Sequence, residues 1–182
     1  MTNLGDDDVD SELLATIVAG LAPVEPHASL KERLMGSLAG VSQLEHFSQR
    51  IAALVDIARA PAQALLAALA DAERWIGAGT EMALFHVDGG PRLANAIVGF
   101  VRMPAGACFP EHEHVGAELM LVLQGGLVVD GVTHRAGAEL TSPAGSSHTF
   151  AAAEGPDLLY LGIIQGGMNI DGNHISPSNP TY

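Results

Sequence analysis

The stretch that most limits how this chain can fold runs from Gly106 to His148, GACFPEHEHVGAELMLVLQGGLVVDGVTHRAGAELTSPAGSSH. His112 and His114 stand two apart, and in a β-strand residues two apart point to one face, so both imidazoles can reach a single ion. Glu118 lies four positions after His114, which leaves room for a short turn or bulge at Val115-Gly116 and a return to the same face. His148 arrives after two further Gly-punctuated turns. Three neutral imidazoles and one carboxylate suit a borderline divalent transition metal, with zinc expected first and iron, manganese or nickel as alternatives; calcium and magnesium prefer oxygen ligands.

The surrounding pattern is one of strands. MALFHVD, ANAIVGFVRM, ELMLVLQG, GLVVDG, THRAG and DLLYLGII are short apolar or alternating runs separated by Gly, Pro, Asp and Asn, which argues an antiparallel sandwich or barrel. Asp130-Gly131 has the composition of a tight hairpin turn between Leu127–Val129 and Val132–Arg135.

Gly106, His112, His114, Glu118 and Gly125 reproduce the spacing G-x5-H-x-H-x3-E-x6-G, and Gly137, Pro143, Gly145 and His148 reproduce G-x5-P-x-G-x2-H. In these two motifs the chain resembles the cupin superfamily. The resemblance implies a mainly β protein, a cupin (double-stranded β-helix, or jelly-roll) barrel over residues 80–170, with His112, His114, Glu118 and His148 as metal ligands. One position departs from the pattern: where the second motif usually continues to an Asn four residues after its His, Ala152 stands instead.

Upstream of the strands the periodicity is helical. Residues 1–9 carry Asp6, Asp7 and Asp8 and are expected to be a disordered acidic N-terminus, and residues 10–77 an α-helical segment preceding the barrel. Leu13, Leu14, Ile17 and Leu21 form one apolar stripe, and Leu30, Leu34 and Leu38 a second. A third helix fits Gln43 to Arg59, and Pro61 opens a fourth. These stripes need a surface to cover, either the barrel or a second subunit, and a homodimer is expected. The polar residues 171–182 are expected to be a surface tail.

Composition narrows the function classes. Twenty-one acidic residues against eight basic ones give a net charge of −13, a surface that repels phosphate backbones, so no nucleic acid is expected as a partner. No apolar run reaches the ~20 residues of a membrane helix, so no membrane association is expected. The N-terminus has no basic region before an apolar stretch, so no secretory signal is expected and the location is read as cytoplasmic. The single cysteine, Cys108, excludes an intramolecular disulfide and is expected to be a small buried residue of the barrel wall.

A narrower resemblance extends beyond the motifs. LAPVEPHASLKERLM at 21–35, LFHVDGGPRLANAIVGFVRMPAG at 84–106 and LVLQGGL at 121–127 resemble ChrR-type anti-sigma factors, in which a helical zinc-binding half precedes a cupin half. This implies a regulator of transcription whose cupin responds to a small molecule or to oxidative stress, with an extracytoplasmic-function sigma factor as the possible partner. The helical half of that family binds zinc through His-x3-Cys-x2-Cys, which a chain with one cysteine cannot supply. The alternative is a metal-dependent cupin enzyme, such as a small-molecule dioxygenase. The wall residues Phe100, Met103, Phe109, Met120, Leu121, Leu123, Phe150 and Tyr160 imply a mainly apolar cavity that can take a small-molecule ligand. Arg102 and Tyr160 are the nominated polar contacts for an anionic or carbonyl ligand, with a structural role the expectation for both. His86 falls in a strand that can face the interior, but a core histidine with a backbone partner is the expectation; His27, His46, His134 and His174 have no ligand spacing.

Overall fold

The computed structural model describes residues 43–77 and 82–179. The described residues all belong to one compact unit, Ser42–Tyr182. The two stripes expected between Leu13 and Leu38 lie outside the described residues.

Twelve strands form two antiparallel sheets among the described residues. The first sheet has β1 (Ile76–Gly77), β2 (Ala83–His86), β3 (Ala96–Met103), β10 (Leu158–Gln165), β5 (Glu118–Gln124) and β8 (Glu139–Ser142), in that spatial order. The second has β12 (Asn173–Ile175), β11 (Met168–Ile170), β4 (Cys108–His114), β9 (Ser147–Ala152), β6 (Gly126–Val129) and β7 (Val132–Arg135). The Asp130-Gly131 turn forms as expected: both residues take positive φ, 50° and 75°, and Val129 pairs with Val132.

The first sheet is buried on both faces, which explains why β10 reads LLYLGIIQ rather than alternating. Its inner side chains, among them Val101, Met103, Met120, Leu158 and Tyr160, pack with Phe109, Leu127 and Phe150 of the opposing sheet. Its outer side chains, among them Phe85, Phe100, Leu121, Leu123, Leu159 and Leu161, are covered by two short helices. Helix α1 (Ser48–Val55) presents Ile51, Ala52 and Val55, and α2 (Arg59–Ala68) presents Ala62 and Leu66. The apolar stripes of this region therefore have their partner within the chain.

Several boundaries differ from the sequence reading. The third helix begins with a 3-10 turn at Glu45–Phe47 and ends at Val55, because Asp56 adopts a left-handed φ of 60° and its carboxylate takes the backbone N–H and the Nε of Arg92, at 2.9 and 2.7 Å. The fourth starts two residues before Pro61, which the first turn tolerates because its N–H has no helical partner there. Within residues 171–182, expected as a surface tail, Asn173–Ile175 form β12, which pairs with β11; β11 joins β4, and Ile170 and Ile175 are buried in the inner core. Cys108 is exposed, since the alternation along β4 turns Phe109 inward and Cys108 out. Leu121 and Leu123 likewise face the helices instead of the barrel interior.

The Ala152 departure has a backbone explanation. The Ala152 N–H donates to the Ala107 carbonyl at 2.8 Å and its carbonyl accepts from the Gly106 N–H at 3.1 Å. The strand end is fixed by the main chain whatever the side chain. No single helix among the described residues is long and apolar enough to cross a membrane.

Candidate metal centre

The four nominated residues converge. His112 and His114 come from β4 and His148 from β9, where His148 is paired directly opposite His112. Between Phe109 and His112 the pairing shifts register, at Pro110, which has no N–H to give to a ladder. Gly145, with φ +74°, turns the chain that delivers β9, and its N–H is bonded to the His114 carbonyl at 2.8 Å. Glu118 does not return to the face of β4 as the spacing suggested. It starts β5 in the opposing sheet and reaches the imidazoles across the sandwich. The loop at Val115–Ala117 changes sheets rather than bulging within one strand.

One ligand atom from each of the four lies within 4.8 Å of all the others. His148 Nε2 is 3.1 Å from His112 Nε2 and 3.4 Å from Glu118 Oε2, and His114 Nε2 is 3.1 Å from Glu118 Oε2. Bonds of ~2.1 Å to one ion at angles of about 90–110° place neighbouring ligand atoms ~3.0–3.4 Å apart, so the cluster has the size of a first-row metal site. His112, His114 and Glu118 are buried, and His148 is partly so.

Hydrogen bonds behind the rings fix the tautomers. His112 Nδ1 lies 3.0 Å from the Pro110 carbonyl, which can only accept, so Nδ1 carries the proton and Nε2 of the neutral ring presents a lone pair. His114 Nδ1 lies 3.2 Å from Ser146 Oγ, whose own proton goes to the Pro143 carbonyl at 2.6 Å. The hydroxyl oxygen must therefore accept, and His114 Nε2 also presents a lone pair. His114 Nε2 and Glu118 Oε2 are buried with no hydrogen-bond partner, an arrangement costly for polar atoms and resolved by a cation between them.

The electrostatics agree. Burial pushes the His112 imidazolium toward losing its proton, and this outweighs the Pro110 carbonyl and the Glu118 charge, which favour it. Burial alone would raise Glu118, but in the metal-free cluster a proton on Nε2 of His114 or His148 donates to its carboxylate and more than offsets this, holding it at about 2; a cation takes the place of that proton. Neutral imidazole and ionised carboxylate are the forms that ligate.

The cluster opens onto an apolar cavity of about 70 Å³ between the sheets. His112, Glu118, Phe109, Phe150 and Tyr160 line it, together with Met82, Leu84 and His86 from β2 and the residue before it. Of the two nominated polar contacts, Tyr160 is in place, and burial followed by the nearby Glu118 charge raises its hydroxyl pKa well above the usual value, so it stays protonated. Arg102 is not: β3 turns it to the outer face, where its guanidinium covers the Trp75 ring at 4.4 Å. The sequence reading undervalued His86, which lines the cavity and whose Nε2 is buried without the backbone partner expected for it. Its place two residues after Leu84 in β2 was the available signal.

Two facing antiparallel sheets with three histidines and a glutamate at the end of an interior cavity define a cupin. Residues 65–162 match the family described as the ChrR cupin-like domain, and the chain belongs to that family. Among solved structures, the chain is similar to the anti-sigma ChrR of Rhodobacter sphaeroides in its complex with SigE, with 23% identity and a TM-score of 0.53, over 85% of this chain and 75% of that one. It is also similar to an acetylacetone dioxygenase from Acinetobacter johnsonii, with 15% identity and a TM-score of 0.51, over 59% of this chain and 83% of the other. An RmlC-like cupin protein from Ralstonia eutropha JMP134 has 21% identity and a TM-score of 0.50, over 57% and 74%. At these identities the structures share the fold. No curated protein sequence matches the chain.

Proposed function

We propose that this chain is a metal-binding regulatory cupin, in which one divalent ion held by His112, His114, Glu118 and His148 couples a small molecule or an oxidant in the cavity to transcription control. The observation that carries this reading is a buried donor set with its lone pairs converging at the end of an apolar cavity, in a chain of the ChrR cupin-like family. Zinc is the metal most in keeping with three imidazoles and a carboxylate, and it would supply a closed brace or an expandable Lewis-acid site.

The matched anti-sigma protein is seen in complex with a sigma factor. This chain has one cysteine, exposed on β4, and cannot make the family's Cys-containing zinc staple. We therefore expect it to hold an extracytoplasmic-function sigma factor weakly or not at all; tight one-to-one co-purification would contradict that and show that its own helices suffice.

A second reading, a metal-dependent enzyme such as a small-molecule dioxygenase, is favoured by the cavity reaching the ligands themselves. A redox-active metal there with open positions would supply oxygen activation beside a bound molecule. Oxygen uptake by iron-loaded protein with candidate carbonyl substrates separates the two. The regulatory reading expects none; turnover that disappears in His112→Ala replaces it with the enzymatic one.

A further inference from the structure

The cavity has polar groups at two places and apolar walls between them. His112 and Glu118 of the metal cluster line it, and so does His86 from β2, which stands three strands away from β5 and Glu118 in the first sheet. Alternation along β2 sends Phe85 toward the helices and places Leu84 and His86 on the inner face. His86 Nε2 is buried and has no hydrogen-bond partner among the described residues. A buried imidazole nitrogen left unmatched loses its hydrogen bonds to water without replacement, so it is an odd group for an apolar wall unless something else meets it. The tautomer that leaves Nε2 as donor meets a carbonyl, and the other meets a hydroxyl.

The size of the space limits what that partner is. A cavity of about 70 Å³ suits a short aliphatic molecule and is too small for a nucleotide or a sugar chain. Glu118 neutralises one of the two charges of a divalent ion, so the metal end favours an anionic oxygen donor. The walls, Met82, Leu84, Ile97, Phe109, Phe150 and Ile164, favour a hydrocarbon body.

We propose that His86 is a specificity residue: it binds the hydroxyl or carbonyl at the far end of a compact aliphatic ligand whose carboxylate is held at the metal cluster. This rests on the metal reading of His112, His114, Glu118 and His148. The ligand class is therefore short aliphatic acids with a second oxygen function, in preference to their plain hydrocarbon-tailed counterparts.

The test is calorimetric titration of zinc-loaded protein with straight-chain carboxylates of about three to six carbons and with their ω-hydroxy counterparts, on the wild type, His86→Leu and His86→Gln. The expected result is one chain length at which the hydroxyl raises wild-type affinity about fivefold, the size of one net hydrogen bond. That gain should vanish in His86→Leu and return in part in His86→Gln, with zinc content equal in all three. Equal gains in wild type and His86→Leu, or no gain at any length, would overturn the role of His86 while leaving the metal reading intact. Protein that takes up no zinc in elemental analysis would overturn both.

Discussion

At the scale of single residues, the site combines four candidate ligands with two groups that orient them. Ser146 orients His114 and the Pro110 carbonyl orients His112, and because supporting partners of this kind are worth about 10–100-fold in metal affinity, Ser146→Ala should weaken metal binding about tenfold with the fold unchanged. Competition titration with a chelator measures it; an unchanged affinity would mean that the hydroxyl does not set the ring. In the metal-free protein, His112 binds its proton less readily folded than unfolded, so stability should fall as pH drops below ~6.5. Glu118 is held at about 2 against an ordinary 4.5 by the imidazoles beside it, so its contribution is lost as pH falls from 4.5 toward 2. Urea melts across pH check both, and a flat profile from pH 7 to about 4 would contradict the first. The convergence of the four candidate ligands was legible because the two motifs fix their spacing, and the motif glycines Gly106, Gly125, Gly137 and Gly145 all take positive φ, where a side chain is strained. Spacing could not show that Glu118 stands on the opposing sheet, because a four-residue step is compatible with a same-face return and with a change of sheet.

At the scale of elements, the helices act as the outer cover of the first sheet. Leu66 of α2 is buried among Phe85, Leu159 and the other outer-face residues, so Leu66→Ala should cost about 2–5 kcal/mol of stability. The metal-to-protein ratio should not change, because Leu66 does not line the cavity. Equilibrium unfolding with parallel elemental analysis separates these; a loss below 1 kcal/mol would mean that the cover is dispensable. Helix existence and most strands could be read from periodicity. The ends of the helices could not, because α1 is stopped by Asp56 accepting from Arg92, a pairing across 36 positions. β11 and β12 were missed for a similar reason. Three-residue strands such as MNI and NHI carry too little pattern to be told from a loop, and their burial depends on the pairing of β11 with β4.

At the scale of the whole molecule, the helical cover changes what association is expected to depend on. Exposed large apolar side chains among the described residues are Ile76, Val115 and Val132, and the stripes from Leu44 to Leu69 are spent on the sheet. Any dimer built on helical stripes therefore has to use residues before Ser42. Light scattering after size exclusion should find a dimer for the whole chain and a folded monomer for residues 42–182. A dimer from the shorter chain would place the interface on the barrel unit. Cutting just before residue 80, where the sequence reading starts the barrel, would strip Phe47, Ile51, Val55 and Leu66 from the core and should give an aggregating product.

The claim on which the rest stands is that His112, His114, Glu118 and His148 hold one divalent ion. Elemental analysis of protein purified without chelator or metal-affinity resin, repeated on His148→Ala, tests it most directly. The expected result is about one transition-metal ion per chain in the wild type and a marked loss in the variant. Equal metal content in the two proteins would contradict the assignment.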